Sequence, residues 1–174
     1  MAGYFFGAIE FGDTTIANDK TDRDHADGFV AKINAEDGTP EWAFQRTATE
    51  STQLLGTNFD EDGNVAYCGS HKDLGELTMG VVGLLDATGS PLWEKNWGAG
   101  VRTLGEVSFG DDVLVAVGSM QGAVDFGGTV GEVETAKDAS GAPVIEALAL
   151  GLDPETGDVK WITRAGPAAR NSLC

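Results

Sequence analysis

The chain has 174 residues, 41% of them apolar, which suits one domain with a sizeable core. Its formal net charge of −17 comes from 28 acidic residues against 11 basic ones. Such a surface repels phosphate backbones and anionic lipids, so nucleic acid and membrane surfaces are poor partners. No run of about 18 apolar residues occurs, so we expect no membrane insertion. Solubility is the simplest role of the charge, with cations or basic proteins as the alternative partners.

The first predicted element is a glycine-rich strand motif that occurs twice. Residues 3–12 are GYFFGAIEFG and residues 118–127 are GSMQGAVDFG, and both fit G-x-[FM]-x-G-A-[IV]-[ED]-F-G without a gap. Residues 69–77, GSHKDLGEL, form a weaker copy between them. Each copy precedes a second kind of repeated unit.

This second unit pairs a glycine with a tryptophan four residues later, and it occurs three times. In each case an apolar strand ends in Asn or Asp, a short turn follows, and the next strand carries the Trp. The three copies are FVAKINAEDGTPEW, VVGLLDATGSPLW and LALGLDPETGDVKW. Their Gly–Trp pairs are Gly38 and Trp42, Gly89 and Trp93, and Gly157 and Trp161. Repetition of this kind indicates that each unit buries the same apolar face against its neighbours.

Two further apolar runs, 52–60 and 102–109, end at acidic turns that are typical of hairpins, so each complete unit has four strands, a to d. The second unit is predicted to have strand a at about 52–59, b at 64–69, c at 80–86 and d at 91–97. The third is predicted to have a at about 101–109, b at 113–119, c at 145–152 and d at 158–163. The first unit begins at strand b, near Gly3.

Strand c is apolar at consecutive positions, as at Val81 and Val82 or at Leu148, Ala149 and Leu150. A continuous apolar run predicts burial on both faces of the sheet. Four-stranded antiparallel sheets that stack face to face around an axis form a β-propeller. A β-sandwich is the competing fold, but it does not explain a repeat of about 50 residues that ends in Trp.

The predicted fold is therefore all-β, with residues 1–174 forming an incomplete propeller ring of about three blades. Blade one has strands b to d at about 3–46, blade two lies at about 52–97, and blade three at about 101–163. Residues 164–174 are predicted to start a further blade, because Gly166 matches Gly98. Propellers close with typically four to eight blades, so we expect this chain to be a slice of a longer one.

The Gly–Trp units resemble the tryptophan-docking motif of quinoprotein-like (PQQ-like) propellers, and residues 3–42 resemble the SBBP propeller repeat. The resemblance covers nearly the whole chain outside two loops. It implies that Trp42, Trp93 and Trp161 pack between adjacent blades, each with its indole N–H bonded by the neighbouring blade. It also implies a location outside the cytoplasm or on the cell surface. A quinone- or metal-dependent propeller oxidoreductase is one function that the resemblance allows.

One turn contains the residue types of a calcium site. Asp60, Asp62 and Asn64 place oxygen-bearing side chains at alternate positions around a bend at Gly63, which a hard cation needs. The twelfth position, where an EF-hand has Glu, is His71, so the turn is not an EF-hand. The alternative interpretation, which we favour, is a hairpin turn with solvated acids, and the same holds for Asp153 and Asp158 and for Asp111 and Asp112.

Other candidates are weaker. The segment 18–27 combines the possible transition-metal ligands Asp22, Asp24, His25 and Asp27, although such clustering in a loop is usually solvated charge. His71 lies among charged residues and is predicted to be exposed. Cys68 is predicted to be a small buried hydrophobe. The pairing of Cys174, the last residue, stays open.

No nucleophile elbow, zinc-protease, phosphate-loop or CxxC motif occurs, and we expect neither catalytic residues nor a bound cofactor, with calcium as the possible exception. The two long insertions, about 13–27 and 128–144, both connect strands b and c, so they should lie at one end of the blades together with 47–51. Loops on a rigid scaffold commonly carry recognition. The favoured function is a non-catalytic structural or interaction module of a larger propeller protein, which binds a protein partner through its acidic loop face or binds the remaining blades. The alternative is a segment of a quinone- or metal-dependent oxidoreductase.

Overall fold

The computed structural model describes residues 1–18 and 25–166. Apart from one 3-10 turn at Gly98–Gly100, its regular structure is entirely β. The strands, in chain order, are β1 (Ala2–Phe5), β2 (Ala8–Phe11), β3 (Thr14–Ala17), β4 (Asp27–Ile33), β5 (Pro40–Arg46), β6 (Ser51–Phe59), β7 (Val65–Lys72), β8 (Met79–Leu85), β9 (Pro91–Asn96), β10 (Val101–Phe109), β11 (Leu114–Gln121), β12 (Ala123–Asp125), β13 (Glu132–Glu134), β14 (Ile145–Leu152) and β15 (Val159–Ala165). Within these residues, no helix has the length and apolar character needed to cross a membrane.

The strands form three larger sheets and two small hairpins, all antiparallel. The first sheet has the order β1-β4-β5, the second β6-β7-β8-β9 and the third β10-β11-β14-β15. Strands β2 and β3 form the first hairpin, and β12 and β13 form the second. Each large sheet therefore follows chain order from one edge to the other. The predicted all-β class, the antiparallel pairing and the a-to-d strands of the second and third units are confirmed.

The two insertions differ from the prediction, because each contains a strand of a separate hairpin. After β1 and again after β11 a glycine with positive φ, Gly7 at 77° and Gly122 at 83°, turns the chain out of the large sheet. The second half of the glycine-rich motif then forms the first strand of a hairpin. Burial of Ile16, and of Val124 and Phe126, anchors these hairpins. The repeated motif therefore marks the exit from strand b and is not a single strand.

The large sheets pack face to face in chain order through two buried clusters. Val30 of the first sheet meets Leu54, Tyr67, Val81 and Leu85 of the second sheet. A larger cluster joins the second sheet to the third and includes Cys68, Val82, Val101, Leu104 and Leu150. The core therefore lies between successive sheets, with the middle sheet covered on both faces.

The strands at position c show how burial depends on neighbouring sheets. Every residue of β8 is buried, as the continuous apolar run predicted. In β14 the prediction is only partly right: Leu148 and Leu150 face the second sheet and are buried, but Ala149 is half-buried and Ala147 is exposed. The reason is that, in the described part of the chain, no sheet covers the other face of β14.

Two glycines allow the first and second strands of a sheet to approach closely. The pairing of β10 with β11 shifts between Leu104 and Glu106. Opposite this bulge, a Cβ on Gly118 would lie 1.9 Å from the carbonyl oxygen of Thr103. Gly69 has the same relation to Gln53 in the second sheet, at 2.0 Å. Because the obstructing atoms belong to the backbone, a side chain here requires the strands to separate.

We expect Gly118→Ala to lower the free energy of unfolding by roughly 1–3 kcal/mol, because it overpacks a backbone contact. Gly105→Ala is the matched control, since Gly105 lies in the same bulge and a Cβ there would meet nothing within 4 Å. Urea unfolding of the two variants measures the difference. Equal stability of the two variants would contradict the close-approach interpretation.

Candidate functional site

Trp42 joins the first sheet to the second at the outer strand. It lies on β5, and its indole Nε1 donates a hydrogen bond of 3.0 Å to the carbonyl oxygen of Ala87, in the turn after β8. Its ring lies so close to Gly89 in the same turn that a Cβ there would come within 2.8 Å of ring atoms. The contact therefore needs both a carbonyl acceptor and a residue without a side chain.

Trp93 repeats this arrangement one sheet later. Its Nε1 donates a hydrogen bond of 2.9 Å to the carbonyl oxygen of Pro154, in the turn after β14. A Cβ on Gly157 would lie 2.6 Å from the Trp93 ring. The same residue types at the same positions thus make the same contact at both junctions between sheets.

Trp161 occupies the corresponding position on the third sheet, and within residues 1–18 and 25–166 it contacts no following sheet. Its side chain is 40% exposed, and its ring lies over Gly151 of the same sheet. Gly38, the glycine of the first turn, is likewise uncovered: a Cβ there would meet nothing within 4 Å. The three predicted glycines share a positive φ, at 76° for Gly38, 87° for Gly89 and 72° for Gly157.

A polar network between the first and second sheets escaped the sequence analysis. Arg46 at the end of β5 binds both carboxylate oxygens of Glu94 on β9, at 2.7 and 2.8 Å. The Tyr67 hydroxyl donates to the same carboxylate at 2.7 Å. Arg46 also donates to the Thr52 hydroxyl at 3.1 Å. In the sequence these residues look like ordinary polar positions on alternating strands, so no local pattern brings them together.

The network sets the ionisation of its own members. Burial of Glu94 alone would raise its pKa, but hydrogen bonds from Arg46 and Tyr67 outweigh burial and hold the pKa below its usual range. Burial, followed by the nearby Glu94 charge, raises the pKa of Tyr67 far above its ordinary value. The group therefore consists of a guanidinium, a carboxylate and a neutral phenol, and it acts as a fixed cross-link.

His71 was predicted to be exposed, and that prediction is wrong. The residue lies on β7 and is only 5% exposed, and its Nδ1 has no hydrogen-bond partner within the described residues. Burial, with a contribution from the Arg46 charge, lowers the pKa of His71. The strand pairing explains the error, because His71 lies opposite the buried Thr52 despite its charged neighbours in sequence.

The candidate calcium turn is held together by its own side chains. One Asp60 oxygen accepts a 2.8 Å hydrogen bond from the Asn64 backbone N–H, and the other accepts one of 2.8 Å from the Asn64 amide. Asp62 is exposed beside them. Asp60 and Asn64 therefore bond to each other across the bend, which is the arrangement of a hydrogen-bonded hairpin turn.

The other acidic candidates are dispersed. Asp153 accepts hydrogen bonds from the backbone of its own turn and pairs with Lys160, while Asp158 pairs with Lys95 of the second sheet. Asp22 and Asp24 lie outside the described residues. Asp27 is buried and accepts a 2.8 Å hydrogen bond from Gln45. Among the described residues, no group of three or more His, Cys, Asp and Glu side chains is placed to hold a metal ion.

Cys68 is a buried thiol of the larger core cluster. Burial raises its pKa to about 12, so the thiol stays protonated at neutral pH. Cys174 lies outside the described residues.

The connections between strands lie at two opposite ends of the stacked sheets. Connections b–c (from β1 to β4, from β7 to β8 and from β11 to β14) and d–a (from β5 to β6 and from β9 to β10) leave and re-enter the large sheets at one end, which we call the loop end. The shorter a–b and c–d turns share the other, the turn end. Thr49 links connections at the loop end by accepting a hydrogen bond from the Leu74 backbone and donating one to Asp73.

No known protein-family model matches the chain, and no curated protein matches it either. The resemblance to tryptophan-docking propellers therefore depends on the repeats of this chain alone.

The charged network gives a prediction for stability against pH. We expect Glu94→Gln to lower the free energy of unfolding at pH 7 by roughly 1–3 kcal/mol, because three charge-assisted hydrogen bonds, two from Arg46 and one from Tyr67, are weakened or lost. The pKa of Glu94 is depressed in the folded state, so this contribution is present above the unfolded value of about 4.3 and is lost as the pH falls through the folded value. Denaturant unfolding from pH 7 to pH 3 measures it.

Glu155→Gln, at an exposed turn position, is the control, and its free energy of unfolding should equal that of the wild type at every pH. A difference between wild type and Glu94→Gln that stays constant down to the lowest pH would contradict the role given to the ionised carboxylate.

The hydrogen-bonded turn gives a second prediction. Asp60→Ala should cost about 1 kcal/mol of stability, because two hydrogen bonds are lost, whereas Asp62→Ala, with the same change of charge, should cost little. Thermal unfolding in chelator and in millimolar calcium distinguishes this turn from a cation site. A calcium-dependent rise in melting temperature that both substitutions abolish would instead identify a cation site.

Proposed function

We propose that this chain is a non-catalytic structural and interaction module, a β-propeller segment of about three blades that binds a protein partner through its loop end. The propeller is supported by the order of the large sheets, each of which follows chain order from a to d and packs on the next. The repeated tryptophan contact supports it further, because Trp42 and Trp93 each bond to the turn of the following sheet. By its resemblance the module belongs outside the cytoplasm or on a surface.

The observation that carries the binding proposal is a set of exposed carboxylates on the two hairpins. The first hairpin starts at the loop end and reaches across the first sheet, since a Cβ on Gly12 at its tip would lie 3.7 Å from Pro40 at the start of β5. Glu10, Asp13 and Glu132 project from the hairpins, and no hydrogen bond or ion pair within the described residues engages them. These carboxylates are available to a partner.

The chemistry of the loop end indicates the kind of partner. Each hairpin holds exposed carboxylates on its strands or turn, and the whole chain carries a formal charge of −17. A protein surface rich in Lys and Arg would be attracted from a distance and then matched by individual charge pairs. The association should therefore weaken as the salt concentration rises.

The test compares two variants with the same charge. Glu10→Gln, Asp13→Asn and Glu132→Gln together neutralise the hairpin acids and form the loop-end variant. Glu61→Gln, Asp62→Asn and Glu155→Gln together neutralise exposed acids at the turn end and form the turn-end variant. Immobilised wild type and both variants are exposed to an extract of the native source, and bound proteins are quantified by mass spectrometry. We expect a basic protein to be retained by the wild type and by the turn-end variant and to be lost from the loop-end variant.

Equal retention by the two variants would show that only total charge matters. If neither the wild type nor the turn-end variant retains a basic protein, the loop end is not a binding surface for one.

A further inference from the structure

Five polar residues of the second sheet line a small pocket at the loop end. Ser51 of β6 pairs with Lys72 of β7, and Gln53 pairs in the same way with Ser70. Residues directly opposite each other in an antiparallel sheet point to the same side, so these four side chains share one face. Together with Thr78, which directly precedes β8, they line a pocket of about 150 Å³.

The hydroxyl of Ser70 is a buried polar group without a partner. Ser70 is only 8% exposed, and no hydrogen bond within residues 1–18 and 25–166 engages its side chain. Its neighbour on β8 is Gly80, where a Cβ would lie 2.7 Å from the Val101 side chain of the third sheet. The third sheet therefore covers this part of the face. Buried polar groups almost always have a hydrogen-bond partner, so the occupant of the pocket has to supply one.

The charges at the pocket favour a neutral occupant. Lys72 is its charged lining residue, and its ammonium group forms an ion pair with Glu50. The other titratable residue that borders the pocket, His71, pairs with Thr52, so its side chain belongs to the opposite face. An anion would find the ammonium charge already matched, in a chain of formal charge −17, and a cation would be repelled by the same ammonium group.

The lining side chains indicate which neutral groups fit. The hydroxyls of Ser51, Ser70 and Thr78 can each donate and accept a hydrogen bond, and the Gln53 amide does both with separate atoms. A ligand that carries hydroxyl groups on adjacent carbons offers the same mixture of donors and acceptors. The pocket volume equals that of about five water molecules at ~30 Å³ each, so it has room for one small ring.

We propose that this pocket is a binding site for a neutral, hydroxyl-rich small molecule, of the class of a single monosaccharide ring. Ser70 bonds a ligand hydroxyl at the buried end, and the exposed Gln53 bonds the ligand from the open side. Because the pocket holds only one ring, the dissociation constant should be roughly millimolar. The proposal goes beyond the protein partner proposed above and does not depend on the hairpin carboxylates.

The test is a titration of the isotope-labelled full chain, followed by backbone amide NMR. The probes are D-glucose, D-galactose, D-mannose and myo-inositol, each at up to tens of millimolar, and sodium acetate and sodium sulfate serve as anionic probes. Ser70→Ala removes the buried hydroxyl, and Gln53→Leu removes the amide at similar side-chain size. Ser108→Ala is the matched control, since Ser108 is an exposed strand serine outside the pocket.

We expect at least one neutral probe to shift the amide signals of residues 51–53 and 70–72 in a saturable way. Ser70→Ala and Gln53→Leu should each weaken this binding roughly threefold to tenfold, because each loses a hydrogen bond to the ligand. Ser108→Ala should bind like the wild type. If the spectrum of Ser70→Ala shows that the fold is lost, Gln53→Leu decides the matter, since its side chain is exposed.

Three results would overturn the proposal. The first is that none of the four neutral probes shifts these signals, which would leave water as the occupant. The second is binding that Gln53→Leu and a folded Ser70→Ala leave unchanged. The third is that only the anions shift the signals, which would make the pocket an anion site. The measurement uses the chain alone, so its failure is distinguishable from failure of the loop-end proposal, which is tested by capture of a protein.

Discussion

The structure depends on an indole ring that closes the outer side of each junction between sheets. Two twisted sheets that pack face to face diverge at the outer strand, and Trp42 and Trp93 fill the gap there. The indole N–H must then find an acceptor, because burial of an unbonded donor costs about 1–3 kcal/mol. The carbonyl oxygens of Ala87 and Pro154 provide it, at 3.0 and 2.9 Å. The glycine of each turn follows from the same contact, since any Cβ would occupy the place of the ring.

This constraint explains why the sequence predicts the strands so well and the polar contacts so poorly. The turn, the glycine and the tryptophan lie within a few residues of one another, so their spacing is visible along the chain. Hydrophobic alternation and turn residues likewise define the bounds of β6 to β9 and of the four strands of the third sheet. In contrast, Arg46 and Glu94 lie on different sheets, and each becomes significant only when the sheets stack. The burial of His71 also depends on a cross-strand partner, Thr52, and not on its charged neighbours in sequence.

The two hairpins were predicted from the sequence only in part. The repeated motif was visible, but its physical meaning required the backbone angle at Gly7 and Gly122, because only a positive φ at these positions turns the chain out of the sheet. An apolar residue after such a turn can continue a strand or begin a new one, and residue type alone does not decide between them. Phe11 lies in β2 and Phe126 directly follows β12. The ring centre of Phe11 is 5.3 Å from that of Phe29, and the ring centre of Phe126 is 5.8 Å from that of Trp97. Each hairpin is thereby fixed beside the stack by an aromatic contact.

The large negative charge is compatible with this stack because the charges lie at its ends and edges, while the contacts between sheets are mostly apolar. Where a charge does lie between sheets, it is paired, as Glu94 is by Arg46 at 2.7 Å. Repulsion between exposed carboxylates is screened within roughly 10 Å at ordinary salt, whereas the apolar contact and the indole hydrogen bond act at short range and hardly depend on salt. Each junction between these sheets also has a direction, because in both of them the tryptophan of one sheet contacts the turn of the sheet that follows it in the chain.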